Sequence, residues 1–383
     1  MNKKSIITKR IVISLLIGFT FLAFACSEKN NSPAVIVGSQ SYSSIREAVD
    51  SACSGDTIFL KLGTYTGDDN KNISWNGNEK HLTFMRLPDA DYAIIDCEGN
   101  GSGFFFANEG NNRDDVIDGI TIKNSGDNVS NYNAGIYCFY SHVTVRNCKI
   151  LNSGWAGIYC EHANPLVENS EFLNNKVGIL ITRYSVPTIR LNIFKESEYE
   201  CISILEYGNA YIIDNLLIRN ERGVSCYGAS AYLVNNTITE NSDWGFRVQN
   251  GEPVTLTNNI IWNNGNDLRI FNNYYQISYN CISDTIDDPN GYHYANFNLN
   301  PLFVDTEDDN FQLTEDSPCI NNGTTELPSE IQLPEFDLAG NNRISGISID
   351  IGAYEYQFGE RSRNSVYPQS SLFETSRTNL SGH

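Results

Sequence analysis

The chain has 383 residues, with 46 acidic against 26 basic side chains and a formal net charge of −20. That imbalance sets nucleic acid aside as a partner, because a phosphate backbone is gripped by lysine and arginine. It suits solubility and divalent cations, and it repels polyanions wherever no local basic strip exists.

Residues 1–25 read as a signal peptide. Lys3, Lys4, Lys9 and Arg10 precede an uncharged apolar run from Ile11 to Ala25, shorter than the roughly 20 residues a membrane-spanning helix needs. The run ends at Ala23-Phe24-Ala25-Cys26. This resembles a lipoprotein cleavage site with Cys26 as the acylated residue, and residues 26–35 then form a lipidated spacer. The same residues satisfy the small-x-small rule of ordinary signal peptidase, which would leave Cys26 as a plain N-terminus. Loss of the leader leaves 22 basic against 46 acidic residues, a mature charge of −24. The expected address is extracytoplasmic, an outer-membrane-anchored lipoprotein held through Cys26. Whether it faces the periplasm or the medium stays open.

Next comes a capping signal. Ser44 and Glu47 have the spacing of a capping box, ahead of Ile45, Ala48, Val49 and Ala52 on one helical face. A short helix there would plug one end of the domain. Gly55-Asp56-Thr57 turns into the strand Ile58-Phe59-Leu60, and irregular coils follow through Leu82–Phe84, Ile94–Ile95, Phe104–Phe106 and Ile120–Ile122.

From Val116 to Ile282 a motif returns about every 22 residues. Gly135-Ile136-Tyr137 recurs as Gly157-Ile158-Tyr159, then Gly178-Ile179, Gly223-Val224 and Gly245-Phe246. Cys201-Ile202 and Asp267-Leu268 fill the two slots without glycine. Asn147, Asn169, Asn215, Asn235 and Asn258 keep the same beat, each three residues before an apolar side chain. Such a period means that each unit buries its apolar face only against its neighbours. Within a unit the apolar residues alternate, which is strand spacing, and no run of ten has helical spacing. At roughly 3.3 Å per residue the unit fits three short strands and three turns. A leucine-rich repeat would want leucines at fixed offsets and a helical segment. The fold class predicted is therefore all-β: a single-stranded right-handed parallel β-helix over 36–285, with a short N-terminal capping helix. A loop-rich C-terminal cap over 286–356 would cover the last coil, and a flexible tail would follow over 357–383. Asparagine suits left-handed turns and stacked amides, and the glycines suit tight turns.

Several segments carry a resemblance. Tyr42 to Val49, Gly55 to Ile58 and Gly63-Thr64-Tyr65 look like the entry segment of the secreted bacterial right-handed β-helix proteins of the pectin-lyase-like superfamily. Asn300 to Asp305, Asn310 to Leu313, Ser317 to Ile320 and Asp350 to Glu355 look like a closing module common among them. The resemblance implies fold and extracytoplasmic origin. It implies no single reaction, since the superfamily holds lyases, hydrolases, epimerases and proteins without known activity. The Arg-x-Pro-x-x-Arg element of pectate lyases is not matched, because Arg183, Pro187 and Arg190 are spaced differently. No histidine has the Gly-His-Gly setting of polygalacturonases.

Cys138, Cys160 and Cys226 share one repeat position beside the apolar residues. They are either a reduced core ladder or, for neighbours such as Cys138 and Cys160, a disulfide. No Cys/His spacing supports zinc. Asp305 to Asp309 and Asp287-Asp288 are acidic enough to hold calcium but lack EF-hand spacing, and solvated loops are the plainer reading.

A filled solenoid leaves only its outer faces for chemistry. If Ile136 and Cys138 point in, Tyr137 and Phe139 point out. The same alternation sends out Tyr159 and Glu161, Ser225 and Tyr227, Arg247 and Gln249, and Arg269 and Phe271, while His162, Arg183-Tyr184 and Glu206-Tyr207 sit at strand ends. Three readings follow. Tyr137, Tyr159, Tyr207 and Tyr227 would offer platforms to sugars, with Glu161, Glu206 and Arg269 holding a polysaccharide. Alternatively, Arg183 or His162 would take the proton alpha to a uronate carboxylate while Arg247 or a cation steadies the enolate, as in a lyase or epimerase. In the third, Glu161, Arg183 and Glu206 are a solvated ion-pair ladder on a structural surface protein. The leading expectation is an extracytoplasmic, monomeric, polysaccharide-binding β-helix.

Overall fold

The computed structural model describes residues 34–36, 42–75, 80–87, 91–107, 115–127, 133–250, 252–271, 274–284 and 292–358. The predicted signal peptide, Cys26, Asp287-Asp288 and the tail from 359 lie outside these residues. None of the described helices is long and apolar enough to cross a membrane.

The architecture is a right-handed parallel β-helix of about nine turns and ~22 residues per coil. Three parallel sheets form its sides, of twelve, ten and eight strands among the described residues, and equivalent strands of successive coils are hydrogen-bonded neighbours. In one coil Thr144–Arg146 lies in the twelve-stranded sheet, Lys149–Leu151 in the ten-stranded sheet and Ala156–Glu161 in the eight-stranded sheet. Inward side chains stack in register, as Ile150, Phe172, Phe194 and Leu217 do, and the Phe172 and Phe194 rings are parallel at 4.5 Å. Cys138 sits against Cys160 in register, and eight buried cysteines carry free thiols. Burial pushes the Cys138 thiol up to about 12, so it packs as an apolar group.

Residues Ile45–Ser51 form the helix at the first coil, with Ile45, Ala48 and Val49 buried in the core cluster that also holds Ile58 and Leu60. The Ser44 hydroxyl accepts from the Glu47 amide at 3.2 Å. The Glu47 carboxylate reaches one residue further back than a capping box requires, to the amide and hydroxyl of Ser43 at 2.6 and 2.9 Å.

Two expectations about the repeat are corrected. The glycines do not serve a turn. Gly135, Gly157 and Gly223 lie in the strands, where an added Cβ would stand 2.6, 2.5 and 2.0 Å from a carbonyl oxygen of the next coil. Close approach of backbones is the reason for glycine here. The asparagines divide between two positions. Asn147, Asn169, Asn235 and Asn258 occupy a left-handed turn position at φ 49 to 59°. Asn215 belongs to the next position, a buried amide ladder of Asn192, Asn215, Asn236, Asn259, Asn280 and Asn296, each side-chain NH₂ donating to the next Oδ1 at about 3.0 Å. A second ladder runs through Asn220, Asn241 and Asn264. It ends on the Asp267 carboxylate, which is why aspartate fills that glycine slot.

The C-terminal module also differs from the expectation. Tyr292–Tyr294 still adds a strand to the twelve-stranded sheet, so coiling continues past 285. Beyond it, the chain does not merely cover the last coil; it lies along the outer face of the ten-stranded sheet. Phe311, from the hairpin Phe303–Asp305 and Asn310–Leu313, packs on Leu216 and Ile218. Leu313, Cys319 and Ile351 pack on Ile260 and Cys281. Asp309 pairs with Lys195 at 2.6 Å and with Arg219, so this acidic cluster is a docking contact. Arg343 of the module is buried, 2.9 Å from Asp214 of the solenoid and 2.8 Å from Glu355. Asp337 and Asp350 lie beside it. Burial pushes Asp214 and Glu355 up to about 7, despite the guanidinium.

Candidate functional site

The eight-stranded sheet brings most of the predicted residues onto one outer face, in register. One column runs Tyr137, Tyr159, Leu180, Ser203, Ser225, Arg247, Arg269. Its neighbour runs Phe139, Glu161, Thr182 in the early coils and Leu205, Tyr227, Gln249, Phe271 in the later ones. The face divides into two halves of different character.

In the early half the aromatics are sealed. Tyr137 and Tyr159 are 3% and 6% exposed and stack on each other at 5.1 Å, with Phe105 and Trp155 against their other sides. They point away from the lumen, as alternation requires, yet they form a second apolar cluster with Ala134, Ala156 and Leu180. Their ring faces are covered, which corrects the expectation of open sugar platforms. Both hydroxyls donate to Glu161, at 2.7 and 3.3 Å. Burial pushes the Tyr159 hydroxyl up to about 12. Glu161 is itself only 2% exposed and pairs with Arg183, which also reaches Glu206 at 3.4 Å. The row Glu161, Arg183, Glu206 is therefore an ion-pair ladder, but one whose first carboxylate is buried under tyrosines rather than solvated.

At the corner after this sheet, the rings of Tyr140, His162, Tyr184 and Tyr207 stack coil upon coil at 4.5, 6.2 and 5.2 Å. Tyr184 and Tyr207 are exposed. His162 is held between two rings. The chemistry proposed for it with Arg183 and Arg247 is not assembled. Strand 244–249, which carries Arg247, lies three coils beyond strand 177–182, next to Arg183, about 14 Å at sheet spacing. Glu161 beside Arg183 pushes its guanidinium still further up, which suits a fixed cation and not a base.

The later half is open and basic. Trp244 is buried beneath three guanidinium groups, from Arg222, Arg247 and Arg269, at 4.6, 4.9 and 5.3 Å from the ring centre. Cation–π attraction holds this cluster together. Arg222 is neutralised by Glu200, Glu221 and Asp243 at 3.3, 3.1 and 3.5 Å, and Arg269 by Asp243 at 3.4 Å. Arg247 has no carboxylate partner among the described residues. Its fork is oriented by Gln249, which accepts at 2.6 Å, and it also lies over Phe271. In register immediately before it come Ser225 and then Ser203. Ser203 is as covered as the early half, at 7% exposed, so the small hydroxyl that borders the Arg247 guanidinium is the half-buried Ser225. Tyr227, 53% exposed, borders it on one side, and Arg222 with Tyr199 on the other. Arg222 and Trp244 were not singled out from sequence. Among the described residues, no group of three or more histidine, cysteine or acidic side chains gathers as a metal centre would require.

A filled right-handed parallel coil defines the class, a β-solenoid with a pectin-lyase-like fold. The chain belongs to the right-handed β-helix family, whose model, described as "Right handed beta helix region", matches residues 26–194 and 134–282. No curated protein matches the sequence. Among solved structures, pectate lyase Pel9A is similar at 17% identity and a TM-score of 0.67, over 86% of this chain and 98% of that one. XylC in complex with xylose is similar at 10% identity and 0.44, over 68% and 66%. A pectin methylesterase from Aspergillus niger is similar at 10% identity and 0.34, over 70% and 86%. The likeness to Pel9A is one of fold.

Proposed function

We propose that the protein holds an acidic polysaccharide on the open half of the eight-stranded sheet, outside the cytoplasm and anchored through Cys26. The observation that carries this reading is Arg247: a guanidinium without a carboxylate partner among the described residues, on a chain whose formal charge is −20. A planar fork held over an aromatic ring and oriented by an amide suits bidentate grip of a uronate carboxylate. The small Ser225 side chain leaves room beside Arg247 for a sugar, and Tyr227 offers it an exposed ring. A protein of similar fold is a pectate lyase, which favours a uronate polymer as the class to try. The test is retention on immobilised polygalacturonate. Arg247→Ala should elute early with an unchanged melting curve, and co-elution with the parent protein would remove the site.

Elimination is the second reading, favoured by the activity in that neighbour's name. It requires a base beside Arg247, where the register neighbours are Ser225 and Arg269 and the contacts are Gln249, Trp244 and Phe271. Ultraviolet absorbance of unsaturated uronate, followed with calcium and with chelator, tests it. A rise that Arg247→Ala abolishes would establish a lyase, and a flat trace leaves binding.

A further inference from the structure

A second cleft lies on a different side of the molecule, where the C-terminal module passes over the outer face of the twelve-stranded sheet. Its volume is about 480 Å³, within the range of small-molecule sites. The floor is Thr255 and Gln276, adjacent in register. One wall is Tyr279 with Tyr294, edge to face at 5.4 Å. The other is the strap at Glu326 and Pro328. The strap is pinned rather than loose. The Asn258 side chain donates to the Thr324 carbonyl at 2.8 Å and accepts from the Thr324 amide at 2.9 Å. The cleft is therefore built by docking of the module onto the solenoid.

Its lining is chemically selective. Hydroxyls, an amide and one carboxylate surround it, and no cation does. The Gln276 and Glu326 side chains have no hydrogen-bond partner among the described residues, so both are available. Glu326 repels a uronate, and the scarcity of aliphatic side chains disfavours a lipid or an apolar ligand. Sugar hydroxyls, which donate and accept, match a carboxylate and an amide set opposite tyrosine rings. The column leading to the cleft continues the theme. Tyr211 and Tyr232 stack at 5.3 Å in register with Thr255.

We propose that this cleft binds a neutral oligosaccharide, a hydroxyl-rich ligand without carboxylates, independently of the arginine site. A glycan chain that mixes charged and neutral sugars would then touch two faces of one molecule.

Isothermal titration of the full chain with cellohexaose, xylohexaose, mannohexaose and hexagalacturonate tests it. At least one neutral hexaose should bind saturably. Its affinity should fall about fivefold or more in Gln276→Ala or Glu326→Ala and stay unchanged in Arg247→Ala. Both cleft residues are exposed, so their removal leaves the fold intact, which the melting curve checks. The proposal is overturned if no neutral hexaose binds, or if both cleft variants bind as the parent does. Hexagalacturonate binding that depends on Arg247 alone reports on the arginine site, so the two sites fail separately.

Discussion

The two halves of the eight-stranded sheet are built on the same backbone and behave oppositely. From Phe105 to Leu180 the outward side chains close over one another and bury even a carboxylate. From Ser225 to Arg269 the outward column passes from a small hydroxyl to two guanidinium groups, and its side chains are half-buried rather than sealed. The comparison teaches that a solenoid has two kinds of outside: one can be a second core, the other a site. Sequence alternation identifies outward positions but does not distinguish these cases, because covering depends on what neighbouring coils put beside each ring.

The sharpest way to break this contrast is Tyr159→Ala. If the early half is a core, the variant loses about 3 kcal/mol and melts well below the parent, while Tyr159→Phe loses about 1 kcal/mol with the hydroxyl contact to Glu161. Unchanged melting in both would mean that the ring is a surface group. Asn236→Ala comes next. Its NH₂ donates to the Ile212 and Val234 carbonyls and to Asn259, so its loss should cost about 2 kcal/mol in urea unfolding. A cost near zero would show that the amide ladder is incidental.

The C-terminal module adds a pH effect. Asp214 and Glu355 are raised to about 7 from an ordinary value near 4, so the folded state keeps protons that the unfolded chain releases between those limits. Their contribution is fully present below about pH 4 and is lost as pH rises toward about 7, at about 1.4 kcal/mol per pH unit for each group, so several kcal/mol for the pair. The group faces Arg343, Asp337 and Asp350. Asp214→Asn should flatten that part of the slope in urea midpoints, and a slope identical to the parent's would contradict the assignment. The smallest stability effect is expected for Tyr227→Ala, within about 0.5 kcal/mol, although glycan retention should weaken.

Much of this was legible in the sequence. The 22-residue beat named the fold, and the capping helix followed from spacing; the cysteine column followed too, while its free thiols are shown by the structure alone. The glycine role was misread because close approach to the next coil's carbonyl is a contact between repeats, invisible within one. Asn215 fits the turn spacing only because Leu216, Leu217 and Ile218 are all apolar: the inward residue in register is Leu217, which puts Asp214 at the turn and Asn215 in the ladder. Arg222 and Trp244 escaped for a related reason. They precede the strand glycine, at the position of Ala134 and Ala156, and strand pairing skips that glycine. Period two counted from Ile136 therefore fails one residue earlier. The polar cleft joins Thr255 to Glu326, far apart in sequence and outside the repeat.

The central claim is that Arg247 reads a carboxylate. The direct measurement is the affinity of the full chain for hexagalacturonate and for its fully methyl-esterified form at low salt. The account predicts that the free acid binds about tenfold tighter or more, and that Arg247→Ala erases the difference. Equal affinity for acid and ester would contradict it.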